Sequence, residues 1–242
     1  MLFRSSIKIY KNTKVESIEQ TSTGLRIRSI RGEENILVEA VKVLVATGRR
    51  PNGLDLGLEE IGVEVKKGAV VVDRLFKTSN DKIYAIGDCT GGVQLAHVAS
   101  ASGNFVAELL FGRSAEVDFS TTPYCVYTKP ELAGVGQTEE DAKKTRRVSV
   151  GKFPLYANGK SVISGEVKGF VKIVADTDTN EIVGLHIVGR SATELIGFGA
   201  LSIRLEATIE ELLTTIYAHP TLGEAIHEAA EDVFNRPIHI PN

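Results

Sequence analysis

The chain has 242 residues, 43% hydrophobic and 24% charged, with 28 basic and 31 acidic side chains for a formal net charge of −3. That is room for one large domain or two smaller ones with an ample core, and the balance excludes the basic stripe that nucleic acid or an anionic membrane demands. No apolar run nears the roughly 20 residues of a membrane span, residues 1–4 are too short for a secretory signal, and two cysteines, Cys89 and Cys125, form no disulfide framework, which fits a reducing cytoplasm.

Residues 7–46 alternate apolar and polar positions between turn signals at Lys11-Asn12 and around Gly32. The pairs Ile7/Ile9, Val15/Ile18, Leu25/Ile27 and Ile36/Val38 predict short meander strands. Residues 41–46 are more continuously apolar, as in a buried strand, and end at Thr47-Gly48-Arg49-Arg50-Pro51-Asn52, where Gly and Pro stop regular structure. Residues 60–76 predict more strand around Lys67-Gly68, and residues 83–86 a short strand closed by Gly87-Asp88. A helix is predicted from Gln94 to Phe111, with Ala96, Ala99, Ala101 and Gly103 along it, small enough for close approach to a backbone or a flat ligand.

The character changes after Gly112, placing a domain boundary near Phe119. Strands are predicted at 125–127, 133–136, 148–153 and 170–175, a short helix at 138–144, and a hairpin through 176–180 returning over 182–188. Three helices follow, each with capping-box spacing: Ser191 with Glu194, Thr208 with Glu211, and Thr221 with Glu224.

Two places carry chemistry. Asp88 ends a predicted strand just before a Gly-rich loop and helix, where a carboxylate can accept a ribityl or ribose hydroxyl; a simple turn cap explains it equally well. The stretch His219-Pro220-Thr221-Leu222-Gly223-Glu224 sets an imidazole five residues before a carboxylate, which reads either as a proton carrier with a tuned base or as an ordinary capped helix start. His97 on the small-residue helix reads as a packing or surface residue and His186 as a structural strand residue, and His219, His227 and His239 lack the i, i+4 pair or cysteine company of a zinc site, so no metal is predicted. No G-x-G-x-x-G and no closely spaced cysteine pair occurs; Gly134-x-Gly136 is followed by Glu139 where a third glycine belongs.

Four blocks stand in order: Ala46-Thr47-Gly48-Arg49-Arg50-Pro51-Asn52; Ile83-Tyr84-Ala85-Ile86-Gly87-Asp88 with Leu95-Ala96-His97; Tyr127-Thr128-Lys129-Pro130-Glu131 with Val135-Gly136; and His219 to Glu224. With them the chain resembles the flavin-dependent pyridine nucleotide-disulfide oxidoreductases of class I, and within these the dihydrolipoamide dehydrogenase family. The resemblance implies an α/β and α+β fold: residues 1–51 as the end of an NAD-binding domain, 52–118 as the returning part of an FAD-binding domain, and 119–242 as an α+β dimerisation domain with an antiparallel sheet. It implies FAD near Asp88, Gln94, Leu95, Ala96 and His97, NAD near Gly48, and His219 as proton acceptor and donor for a dithiol with Glu224 orienting it.

It further implies a homodimer through residues 119–242 and service to 2-oxo acid dehydrogenase or glycine cleavage complexes. The chain departs from that pattern, lacking a C-x-x-x-x-C pair and both glycine fingerprints. It is therefore expected to be the C-terminal part of such an enzyme, inactive alone. Residues 98–103, without the family's usual acidic side chains, leave the substrate open. A non-catalytic dimerisation module, or part of a related reductase such as glutathione reductase, is the alternative.

Overall fold

The computed structural model describes residues 7–113 and 117–240, which divide into two compact units, residues 1–50 and 51–242. Residues 1–4, read above as too short for a secretory signal, lie outside the described residues.

The first unit is an antiparallel meander of β1 (Lys14–Gln20), β2 (Leu25–Arg31) and β3 (Glu34–Ala40), in the order β1-β2-β3. Ile27 stands opposite both Ile18 and Val38, so the predicted apolar positions share one face. Charged residues line the strands, with Arg28 on Glu19 at 3.0 Å and Arg26 on Glu39 at 3.1 Å; such exposed pairs are screened by solvent and add little to stability. Two predicted strands do not form: residues 7–10 and 41–46 are irregular. Leu44 is 90% exposed, because a strand apolar on both faces needs neighbours on each side and no described strand pairs with it.

In the second unit, β4 (Val65–Lys66) and β5 (Ala69–Val70) form a minimal hairpin over buried Val63 and Val70. The strand predicted at 83–86 shrinks to a single bridge between Lys77 and Tyr84. It runs into a 3-10 turn at Gly87–Thr90, then α1 (Ala96–Leu110), close to the predicted helix. Gly87 has φ +73°, and a Cβ there would sit 3.1 Å from that of Ala99, so the turn lies directly on the small-residue face of α1.

Beyond it, β6 (Tyr124–Val126), β7 (Glu131–Gly136), β8 (Val148–Pro154), β9 (Phe170–Asp176) and β10 (Ile182–Gly189) build an antiparallel five-stranded sheet, order β6-β7-β10-β9-β8. This is the α+β, antiparallel architecture the sequence implied. The short α2 (Glu139–Ala142) and α3 (Gly159–Ile163) punctuate it; α3 and the 3-10 turn at Leu155–Ala157 were not predicted. Strand alternation puts Val171, Ile173 and Ala175 on one face with Leu185, Ile187, Val135 and Phe153, all at most 2% exposed. Two helices cover that face: α4 (Ala192–Arg204) over β7 and β10, and α6 (Glu224–Val233) over β8 and β9, with α5 (Ile209–Thr214) against α6. Helix α6 is thin where it meets the sheet, contributing Ala225, Ala229 and Ala230, each 0% exposed. That thinness brings its backbone onto Gly151 of β8. The sheet therefore fixes where the first residue of α6, Glu224, stands.

Candidate functional site

Of the three expected capping boxes, one forms. Thr208 and Glu211 exchange hydrogen bonds at the start of α5, whereas Ser191 sits at φ +57° and makes no side-chain cap. At α6 the Thr221 hydroxyl turns away to Ala218 O at 2.7 Å, leaving only the return half of the box: the Thr221 N–H donates to Glu224 Oε2 at 2.7 Å.

The other oxygen of Glu224 does something else. Oε1 accepts from His219 Nδ1 at 2.8 Å, across the cis His219–Pro220 peptide. One carboxylate thus holds both the helix start and the imidazole, so the contacts that each reading of this motif requires are present together. The loop is pinned from a third side by Asn158, only 4% exposed, which accepts from Ser161 N at 2.9 Å and donates to Thr221 O at 3.0 Å. Burial would raise the pKa of Glu224. The Thr221 N–H, the hydrogen bond and charge of His219, and the charge of His239 together hold it below the usual carboxylate value. An ionised Glu224 accepts the Nδ1 proton, so in the neutral ring Nε2 carries the lone pair. With its side chain 78% exposed, His219 can take a proton from a group arriving from outside.

His219 and Glu224 line a cleft of about 500 Å³ with Tyr217, His227, Glu228 and His239 among its walls. Burial pushes the Tyr217 phenol up, and its ring meets His227 edge-on at 5.5 Å. Sequence reasoning missed Glu228 and Asn158, whose contacts appear only when distant segments converge, and considered His239 only as a metal ligand.

The remaining predicted residues stand elsewhere. Asp88 lies half-buried in the 3-10 turn, and its carbonyl accepts from Gly91 N at 3.2 Å. Gln94 and Leu95 precede α1, Ala96 opens it, and its first turn has no side-chain cap and no acidic residue. An uncapped N-terminus of α1, with the Gly87 turn packed tightly on Ala99, fits a phosphate of a dinucleotide cofactor. His97 is exposed, and its Nε2 donates to Pro123 O at 2.8 Å, tying α1 to the approach to β6. Gly48 lies in the first unit at φ +99°, exposed, with open space where a Cβ would be.

Both cysteines are free thiols; burial first, then the charges of Glu131 and Glu194, pushes Cys125 up, and Cys89 donates to Ile86 O at 3.3 Å. Neither has the setting of a reactive thiolate. Among the described residues no helix is long and apolar enough to cross a membrane.

A five-stranded antiparallel sheet covered on one face by helices, one of which starts at the His219–Glu224 pair, makes this an α+β domain. Comparison bears this out: residues 122–230 match the pyridine nucleotide-disulphide oxidoreductase dimerisation domain, and residues 1–103 match the pyridine nucleotide-disulphide oxidoreductase domain itself. The chain belongs to the pyridine nucleotide-disulphide oxidoreductase family. It is 39% identical over 243 residues to the mitochondrial dihydrolipoyl dehydrogenase of Pisum sativum, covering 99% of this chain and 48% of that one. It is likewise 39% identical over 240 residues to a dihydrolipoyl dehydrogenase of Bacillus subtilis (strain 168), covering 98% and 51%.

Among solved structures, LpdA from Mycobacterium tuberculosis superposes with a TM-score of 0.86 at 30% identity, covering 95% of this chain and 50% of its own. The HOCl-induced flavoprotein disulfide reductase RclA from Escherichia coli superposes at 0.80 and 25% identity, covering 91% and 50%. The chain spans about half the length of the curated relatives it matches.

Two expectations are corrected by these matches. The chain was expected to lack the cofactor-domain signature, but the oxidoreductase domain is matched over residues 1–103, although no G-x-G-x-x-G occurs there. The reading of a C-terminal part falls with it, because the order on this chain is that domain followed by the dimerisation domain. The absence of a closely spaced cysteine pair stands.

Proposed function

We propose that the protein carrying this chain is a flavin-dependent dithiol–disulfide oxidoreductase of the dihydrolipoamide dehydrogenase type, with His219 as the proton acceptor and donor for the dithiol. The observation that carries the reading is the 2.8 Å contact from His219 Nδ1 to an ionised Glu224, with the ring exposed on a cleft. A thiol near pKa 8.5 is mostly protonated at neutral pH, and only the thiolate attacks a disulfide. Nε2 of His219 takes that proton, and Glu224 fixes the tautomer and stabilises the imidazolium that results.

A bound FAD supplies the carrier that passes the electron pair between the dithiol and NAD. Asp88 would hold its ribityl or phosphate region, with Gln94, Leu95, Ala96 and His97 along the ring and Gly48 beside the nicotinamide nucleotide. The domain extents given by the resemblance, and a homodimer through residues 119–242 that sets His219 against a partner's disulfide, complete the reading. Assembly into a 2-oxo acid dehydrogenase or glycine cleavage complex and a cytoplasmic location belong to the same proposal. Without a redox cysteine pair, the 242 residues alone are expected to turn over no dithiol.

The test is His219→Ala in the flavin-loaded protein. Lipoamide turnover should be abolished while NADH oxidation by artificial acceptors continues; unimpaired lipoamide turnover would refute the assignment.

A further inference from the structure

The cleft beside His219 holds a second imidazole–carboxylate pair. Glu224 and Glu228 stand four residues apart on α6, on successive turns of one helix face. His219 reaches the first from the loop before the helix, and His239 reaches the second from the chain after it, Nδ1 to Glu228 Oε1 at 2.7 Å. Glu228 is only 4% exposed, and its Oε2 takes the N–H groups of Ile238 at 3.0 Å and His239 at 3.2 Å. A carboxylate so deeply placed is costly unless its oxygens are filled, and all three of these donors come from residues 238 and 239. Ile240 packs against the core beside them, which holds the segment in place.

The two pairs share their chemistry. Each ring gives Nδ1–H to a carboxylate and so keeps its Nε2 lone pair when neutral. Each ring is mostly exposed, 78% for His219 and 66% for His239; both line one cleft, and the charges of both rings reach Glu224.

Resting on the reading of His219 as the dithiol's base, we propose that His239, held by Glu228, is a second proton acceptor of this cleft, matched to a dithiol whose oxidation sheds two protons. The balance with a protein disulfide as oxidant is complete. The first thiol gives its proton to His219, and its thiolate attacks the disulfide, forming a mixed S–S bond and releasing one cysteine thiolate. The second thiol gives its proton to His239, and its thiolate closes the product disulfide, releasing the other cysteine thiolate. The electron pair ends on the two cysteine sulfurs, to which the two imidazoles return the protons.

A purely structural tether for the chain end would need the two backbone N–H groups and no particular ring tautomer. Glu228→Gln separates the two roles, because its amide oxygen can still accept those N–H groups while its amide nitrogen faces Nδ1 and moves the ring proton to Nε2. On the 242-residue chain, 15N NMR of the neutral His239 ring should show the Nδ1–H tautomer, and Glu228→Gln should convert it to Nε2–H. Acylation of His239 by diethyl pyrocarbonate, read by peptide mass spectrometry, should then slow roughly tenfold while His219 keeps its rate. An Nε2–H tautomer in the unsubstituted chain, or unchanged acylation in the variant, overturns the inference.

In the flavin-loaded protein, His239→Gln should lower kcat for dihydrolipoamide about tenfold. Full turnover in that variant overturns the second acceptor and leaves His219 standing, whereas full turnover in His219→Ala overturns the reading beneath it.

Discussion

Helix α6 carries both carboxylates of the cleft and comes closest to β8 at Gly151, so Gly151→Ala tests whether sheet packing sets the site. A Cβ on Gly151 would lie 1.9 Å from Ala229 O, 2.6 Å from Val233 N and 2.8 Å from Val233 Cγ2. The first two are helix backbone and cannot rotate away. An ordinary contact begins at 3.4 Å, so α6 must retreat by about 1.5 Å at Ala229, a residue now 0% exposed. Overpacking against immovable atoms costs about 1–3 kcal/mol, and a backbone clash this close belongs at the upper end. For a protein of this size that is a fall in Tm of about 6–12 °C at the upper end.

Gly159→Ala is the control: it opens α3, has no atom within 4 Å of the added Cβ and no left-handed φ, so a gain of up to about 1 kcal/mol is expected. Thermal and urea unfolding of both variants measure the difference. The 15N signals of the His219 ring report whether the start of α6 has moved. A Gly151→Ala chain within about 0.5 kcal/mol of the parent, or one destabilised with His219 signals unmoved, would refute the idea that this contact positions the site.

Glu139 lies between Lys143 at 2.5 Å and Lys172, and the hydrogen bonds from these two, followed by the charge of Lys172, hold its pKa at about 2. Its folded value lies below its unfolded one, so its stabilisation is complete above about pH 4.5 and disappears as pH falls toward 2. The stability gap between the parent and Glu139→Gln should close over that window, and a gap constant from pH 6 to pH 2 would sink the assignment. Thr208→Ala should cost about 1 kcal/mol by urea unfolding through loss of a formed capping box, while Ser191→Ala, which removes no cap, should cost under about half of that; equal losses would show the caps misassigned.

The C-terminal sheet was legible because its strands alternate. Val171, Ile173 and Ala175 fall on one face by period 2, and the turn residues 176–180 mark where the chain returns. Local pattern misled where the outcome depends on distant partners: residues 41–46 are as apolar as a core strand yet lie exposed, since no described strand pairs with them. Capping spacing alone could not separate Thr208, which caps, from Ser191, whose backbone is left-handed. At the site, His219 and Glu224 were found because they lie five residues apart. Asn158 was not, because its hydrogen bond to Thr221 spans 63 residues and nothing at position 158 announces it. The oxidoreductase-domain match over residues 1–103 was not legible from a glycine fingerprint, because no G-x-G-x-x-G occurs in that segment.

Glu224 raises the sharpest remaining question of cause, because its two oxygens have separate tasks: Oε2 fills the Thr221 N–H and Oε1 the His219 ring. Removing the side chain therefore confounds helix capping with proton handling, and Glu224→Ala should lose about 1 kcal/mol together with activity. Glu224→Gln separates them. Its amide oxygen can still accept from Thr221, so unfolding should stay within about 0.5 kcal/mol of the parent. Its amide nitrogen faces Nδ1 of His219 and makes that atom an acceptor, which moves the proton to Nε2 and blocks the only ring position open to a thiol. Lipoamide turnover should then fall by about 100-fold or more with stability retained, a loss as large as a misplaced general base produces. If Glu224→Gln turned over lipoamide normally, the carboxylate would be a helix cap that happens to touch an imidazole, and the tautomer argument for His219 would fail with it.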